Sequence, residues 1–125
     1  MIRGVHTMYY SDDAAALRAF IRDKLGFPHA DVGGGWLIFD LPSADMGVHP
    51  TGRDGQAHGS QYLSFYCDDV HATVAQLQGR GVEFVGAVRD VGYGLAINFK
   101  MPGDLTAELY QPHYRSDGAL VAGSV

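Results

Sequence analysis

The sequence predicts an α+β domain made of two tandem copies of one module, each a strand, a helix and further strands, with a shared pocket between the copies. The first observation is an echo: residues 6–13 and 62–69 are strand-prone runs that end at Ser11-Asp12-Asp13 and Cys67-Asp68-Asp69. The second is the order that follows, since a helix-like pattern and then a Gly-rich strand come after each run. Because neither half could bury its sheet face alone, the two modules are expected to pair in one core.

The composition indicates one compact domain, expected over residues 1–112, because 46% of the 125 residues are hydrophobic. No apolar stretch is long enough to span a membrane, and no signal peptide is expected at the start. The single cysteine cannot form an internal disulfide, which favours a reducing cytoplasm. The net charge is −5 and the 9 Lys and Arg residues are scattered, so no nucleic-acid partner is expected.

Module 1 is predicted over about residues 1–52 and opens with a strand at residues 5–10. A helix follows over about residues 13–24, with Ser11 or Asp12 as its N-cap and Gly26 as its end. Its apolar stripe consists of Leu17, Phe20, Ile21 and Leu25. Two further strands are predicted at residues 36–41 and 44–49.

Module 2 is predicted over about residues 61–112, after a polar, Gly-rich linker at about residues 53–60. Its opening strand at residues 62–67 leads into a helix at about residues 69–79, for which Asp68 is the predicted cap. A short strand or bend is predicted at residues 81–85, and two further strands are predicted at residues 92–101 and 105–111. The tail, residues 113–125, has no periodic pattern and is expected to be mobile.

This order of elements and turns resembles the vicinal oxygen chelate superfamily, which includes glyoxalase I, bleomycin-resistance proteins, fosfomycin-resistance proteins and extradiol dioxygenases. The residues that carry the resemblance are His6 in the opening strand, the Leu25-Gly26-Phe27 helix exit, the Cys67-Asp68-Asp69 corner and residues 102–109. The resemblance implies two βαβββ modules that form an open, curled mixed sheet around a ligand cavity, with the helices on the outer face.

In metal-using members of that superfamily, ligands come from the first and last strands of each module, so the resemblance assigns His6 and Glu108 as metal ligands. The opening strand of module 2 has Tyr62 where those relatives have histidine. A phenol with a pKa near 10 is a poor ligand for a divalent ion. Gln61 would face the wrong way unless the strand register slips by one residue.

The remaining ligand position falls on the last strand of module 1, where strand parity indicates His49 and counting back from the closing proline indicates Met46. His49 is preferred, because Met46 shares its face with apolar residues. With His6 and Glu108 it would form a site with open positions for a bidentate substrate, suited to Zn, Ni, Fe or Mn. The alternative is that His6 and Glu108 only form hydrogen bonds inside a polar cavity.

Strand alternation also places several large side chains on the cavity face: Met8, Tyr10, Tyr62, Tyr66 and Tyr110. Large rings with polar tips suit an aromatic or amphipathic small ligand, and ordinary aromatic packing is the equal alternative. Asp45 lies on the same face as His49 and is the remaining candidate for ligand binding.

The resemblance implies three functions. The first is a glyoxalase-like enzyme whose divalent metal chelates vicinal oxygens for isomerase, lyase or addition chemistry, with Glu108 or Tyr62 moving protons. The alternative is a metal-free, bleomycin-resistance-type protein that sequesters an aromatic or cationic molecule between subunits, which Tyr62 favours. An extradiol-type dioxygenase ranks third, because its module-2 histidine is absent. A homodimer is expected, since members commonly dimerise.

Overall fold

The fold is taken from a computed structural model that describes residue 1 and residues 6–44, 47–48 and 57–114. Two helices and two open sheets make up this part of the chain, so the predicted α+β class is confirmed. Neither sheet closes into a barrel. Across these residues, no helix has the length and apolar character needed to cross a membrane.

The first half contains one helix and a short hairpin. Helix α1 spans Ala14–Phe20 and continues as a π-helical segment, Ile21–Leu25. Strands β1 (His29–Asp31) and β2 (Leu37–Phe39) pair antiparallel as a two-stranded sheet.

The second half contains the larger sheet. Its elements are β3 (Ser64–Tyr66), α2 (Val70–Gly79), β4 (Phe84–Asp90), β5 (Gly94–Met101) and β6 (Leu105–Pro112). The strand order is β3-β6-β5-β4, with β3 parallel to β6 and the other pairs antiparallel. This is a mixed sheet, as predicted.

Both helices begin at the second aspartate of the repeated corner. The Asp13 carboxylate accepts from Ala16 N–H at 3.3 Å, and the Asp69 carboxylate accepts from Ala72 N–H at 3.0 Å. The predicted caps one or two residues earlier are therefore wrong, because a capping oxygen must reach the N–H two or three residues into the helix. Gly26 ends the first helical run with φ 76°, as predicted.

The core lies between the helices and one face of the large sheet. Phe99 is fully buried, and its ring packs against the rings of Phe20, Phe65 and Phe84 at centroid distances of 6.5, 6.2 and 5.7 Å. Phe20 belongs to α1, so this cluster joins the first half of the chain to the second-half sheet. The apolar helix faces predicted from the sequence pack here.

Several strand boundaries differ from the prediction. Residues 6–10 form no regular strand, and the strand predicted at 36–41 is shortened to β2. Strand β1 was not predicted, because its three residues are all exposed and carry no apolar alternation. The strand predicted at 44–49 falls partly outside the described residues, and the described residues 44, 47 and 48 are not in a strand.

Gly94, the first residue of β5, lies directly against β6. A Cβ at this position would approach Gln111 O and Tyr110 Cε2 to 2.5 Å each. We expect Gly94→Ala to lower the free energy of unfolding by about 1–3 kcal/mol, since the strand pair would have to move apart. Urea denaturation would measure this, with Gly79→Ala as the control. Gly79 ends α2 in open space, so equal losses from both substitutions would contradict the packing argument.

Candidate functional site

The large sheet has one face that does not carry the apolar core, and cross-strand register defines its composition. Ser64, Glu108 and Asn98 are partners across β3, β6 and β5, so their side chains form one row. The neighbouring row contains Tyr66 and Tyr110. We call this surface the polar face. It consists of Ser64, Tyr66, Arg89, Asn98, Glu108 and Tyr110, together with Tyr62, which precedes β3 and donates a hydrogen bond to Glu108.

Glu108 lies at the centre of the hydrogen bonds on the polar face. Its Oε2 accepts a hydrogen bond from the Tyr62 hydroxyl at 3.0 Å, and Arg89 Nη2 donates to the same oxygen at 3.3 Å. The Glu108 side chain is only 13% exposed, whereas that of Arg89 is 46% exposed. The carboxylate is therefore held from two sides, and the adjacent guanidinium balances its charge.

Tyr62 is a hydrogen-bond donor at neutral pH. Tyr62 is still 64% exposed, so its burial is only partial. That partial burial, followed by the nearby Glu108 carboxylate, raises the pKa of Tyr62 from 10.0 to about 12. At pH 7 only about one molecule in 10⁵ would carry the phenolate, so Tyr62 is protonated, donates a hydrogen bond and is not available as a general base.

The titration of Tyr62 is a test of this hydrogen bond. Subtracting the ultraviolet titration of Tyr62→Phe from that of the native chain should leave one phenol that ionises near pH 12. Because the folded pKa is the higher one, the stabilisation by Tyr62 is complete below pH 10 and is lost as the pH rises toward 12. Ionisation of the isolated phenol at pH 10 would contradict the partly buried position of Tyr62 beside Glu108.

Tyrosine rings flank these hydrogen bonds. The buried Tyr110 ring packs edge-on against Tyr93 at 5.8 Å, and its hydroxyl donates to that of Tyr114 at 2.8 Å. The Tyr66 hydroxyl forms a hydrogen bond with the Ser43 hydroxyl, and its ring is partly exposed. Tyr110 is therefore a packed, structural part of the polar face, whereas the ring of Tyr66 is partly open to solvent.

The remaining candidates from the sequence are not gathered around Glu108. Tyr10 is 89% exposed, and Met8 and His6 are also exposed. His49 and Asp45 lie outside the described residues. Within the described ranges, no three His, Cys, Asp or Glu side chains are close enough together to hold a metal ion. The site of His6, His49 and Glu108 stays a prediction.

Sequence reasoning missed Arg89 and Asn98. The strand predicted at residues 81–85 stopped short of Arg89, which lies beyond an irregularity in the β4–β5 register between Val85 and Arg89. Asn98 lies within a correctly predicted strand, but only the pairing of β5 with β6 places it beside Glu108. Residue alternation alone shows which face a side chain occupies, not its partner on the next strand.

A separate cavity of about 330 Å³ lies on the helix side of the sheet, between the end of the π-helical segment, α2 and β3. Phe27, Phe65 and Leu77 line it, together with the half-buried Cys67. Burial raises the pKa of the Cys67 thiol, so the thiol is protonated at neutral pH. A protonated, half-buried thiol favours a structural role for Cys67 over a reactive one.

Comparison with known proteins connects this geometry to one family. The family model described as "Glyoxalase/Bleomycin resistance protein/Dioxygenase superfamily" matches residues 3–109. The comparison with curated proteins gave no significant match.

Three solved structures illustrate the likeness. TnmS3, an antibiotic binding protein from Streptomyces sp. CB03234, is 25% identical, with 90% of this chain and 99% of that chain covered and a TM-score of 0.60. A glyoxalase/bleomycin resistance protein from the same organism is 27% identical, with coverage of 81% and 92% and a TM-score of 0.51. Lactoylglutathione lyase from Agrobacterium tumefaciens is 22% identical, with coverage of 84% and 90% and a TM-score of 0.55, and shares the fold.

Proposed function

Since this chain belongs to the glyoxalase/bleomycin resistance protein/dioxygenase superfamily, we propose that it binds a small aromatic molecule on the polar face without using a metal ion. The observation that carries the proposal is the state of Glu108. The carboxylate that the resemblance assigns to a metal instead accepts from Tyr62 and pairs with Arg89.

The surroundings of Glu108 do not favour a divalent cation. A metal bound at Oε2 would have to displace the Tyr62 hydroxyl, and it would meet the positive charge of Arg89 nearby. His6 is exposed and belongs to no metal-capable cluster in the described ranges. The described groups around Glu108 therefore favour binding without a metal ion.

Binding is better supported than turnover. A phenol with a pKa of about 12 is a poor general base at neutral pH, and the Glu108 carboxylate is already engaged by a cation. The likeness to TnmS3, which is described as an antibiotic binding protein, points in the same direction.

The polar face supplies two kinds of ligand contact. The exposed parts of the Tyr62 and Tyr66 rings offer apolar surface with an aromatic preference. Arg89 and the Tyr62 hydroxyl, both ordered by Glu108, offer donors of fixed direction. An antibiotic-sized ring system with polar substituents matches this combination.

The proposal is tested with protein freed of metal by dialysis against a chelator. Doxorubicin and bleomycin, two antibiotics with aromatic groups, are titrated against it and followed by ligand fluorescence and thermal denaturation. At a ligand concentration about 100 times Kd, the expected stabilisation is about 2.7 kcal/mol. Chromatography should recover the ligand unchanged. Absence of binding across a broad panel of aromatic antibiotics, or conversion of the ligand, would count against the proposal.

Arg89→Met should weaken this binding, with Arg22→Met as the matched control. Arg22 is an exposed arginine that pairs with its sequence neighbour Asp23 at 2.6 Å, away from the polar face. Equal effects of the two substitutions would show that only net charge matters.

The expected homodimer stays a prediction, which light scattering would test.

A further inference from the structure

In the row formed by Ser64, Glu108 and Asn98, the amide of Asn98 has an acceptor that is left without a partner in the described part of the chain. Its Oδ1 atom is buried and accepts no hydrogen bond within the described part of the chain. Asn98 pairs in register with Glu108 on one side and with Val85 on the other. Its side chain therefore lies on the polar face, on the strand next to that of Glu108. Neighbouring strands in a sheet are about 4.8 Å apart.

The contrast between neighbours in this row is informative. Glu108 Oε2 accepts from two donors, whereas Asn98 Oδ1 accepts from none. Buried polar atoms in folded proteins nearly always have a partner, because an unpaired one loses its bonds to water without compensation. A leucine would fill a similar volume without that penalty. The amide is therefore better explained by a bound ligand than by packing.

We infer that Asn98 determines ligand specificity by accepting a hydrogen bond from a neutral hydroxyl or N–H group carried by the aromatic ligand. The inference rests on the proposed function and narrows it. An ammonium group placed at the Asn98 amide is disfavoured, because Arg89 already balances the charge of the adjacent Glu108 and would repel a second cation there. The ammonium of doxorubicin lies on its sugar, away from the ring system, and is not bound by this limit. Val85, the register partner of Asn98 on β4, is 44% exposed, so its side chain has room to turn aside for the incoming ring.

Three naphthalene probes of matched size test the inference: 2-naphthol, 2-methoxynaphthalene and 2-naphthylmethylammonium. The first carries a neutral donor, the second carries none and the third is a cation. Each is titrated by fluorescence into the native chain and into Asn98→Leu, with Gln78→Leu as the control for loss of an exposed amide, since Gln78 lies on α2 away from the polar face. Doxorubicin is titrated in parallel to report on the proposed function itself.

We expect the native chain to bind 2-naphthol more tightly than either other probe. Asn98→Leu should lower the affinity for 2-naphthol about tenfold and leave the affinity for 2-methoxynaphthalene unchanged. The Tm of the variant should be the same as that of the native chain or higher. Should Asn98→Leu fail to fold, Asn98→Ala should show the same selective loss.

Unchanged 2-naphthol affinity in the variant, or a preference of the native chain for the ammonium probe, would overturn the inference. So would absence of 2-naphthol binding in a protein that binds doxorubicin. Failure of every aromatic antibiotic to bind would instead reject the proposed function. Failure of the Asn98 inference and failure of the proposed function can therefore be told apart.

Discussion

Replacing Phe99 with alanine is expected to lower the free energy of unfolding by about 3–5 kcal/mol. The side chain is fully buried, and three other phenylalanine rings pack around it. The substitution removes the transfer free energy of the ring and leaves a cavity at the contact between α1 and the sheet. Because Phe20 of α1 stacks on this ring, the loss should also weaken the attachment of the first half of the chain.

Thermal and urea denaturation would measure the effect, with an expected fall in Tm of roughly 10–20 °C. Phe99→Leu is the graded comparison, since it retains part of the buried volume and should cost less. Phe27 lies at the edge of the same aromatic cluster, in contact with Phe65 at 5.5 Å, and is partly exposed. If Phe27→Ala were as destabilising as Phe99→Ala, Phe99 would not be the centre of the core.

Replacing Glu108 with alanine is expected to weaken aromatic-ligand binding at least about tenfold, which corresponds to about 1.4 kcal/mol. The carboxylate orders both the Tyr62 hydroxyl and the Arg89 guanidinium, so its removal releases two groups at once. It also leaves Arg89 as an unbalanced positive charge on the polar face.

The matched control for this variant is Glu83→Ala. Glu83 is an exposed glutamate whose side chain pairs with Lys100 at 3.3 Å, and the pair should contribute little. Doxorubicin titrations of the two variants and the native chain make the comparison. Retained affinity in Glu108→Ala would remove Glu108 from the binding account, whereas equal losses in both variants would indicate a general charge effect.

Local signals in the sequence predicted most of the regular structure. The apolar stripes located both helices, and alternation located β5 and β6 within two residues. Gly26 was recognised as the end of the first helical run because a left-handed residue is needed there. The short, exposed strand β1 had no such signal, and the hydrogen bonds that form it come from β2.

The site was only partly predictable for the same reason. Alternation placed Tyr62 and Glu108 on one face, and the structure brings them together at 3.0 Å. The position of Arg89 depends on a register irregularity in β4, and that of Asn98 on pairing across β5 and β6. Such long-range pairing has no local sequence pattern.

The central claim is that the polar face binds its ligand without a metal, and doxorubicin titration of chelator-treated protein tests it most directly. The account predicts the same Kd for chelator-treated protein and for protein incubated with Zn, Ni, Fe or Mn and then freed of excess ion, since doxorubicin itself chelates free metal. It predicts no effect of His6→Ala. It also predicts a higher Kd, and so weaker binding, for Glu108→Ala. Binding that appears only after metal is restored, and that is lost in His6→Ala, would contradict it and favour the predicted site of His6, His49 and Glu108.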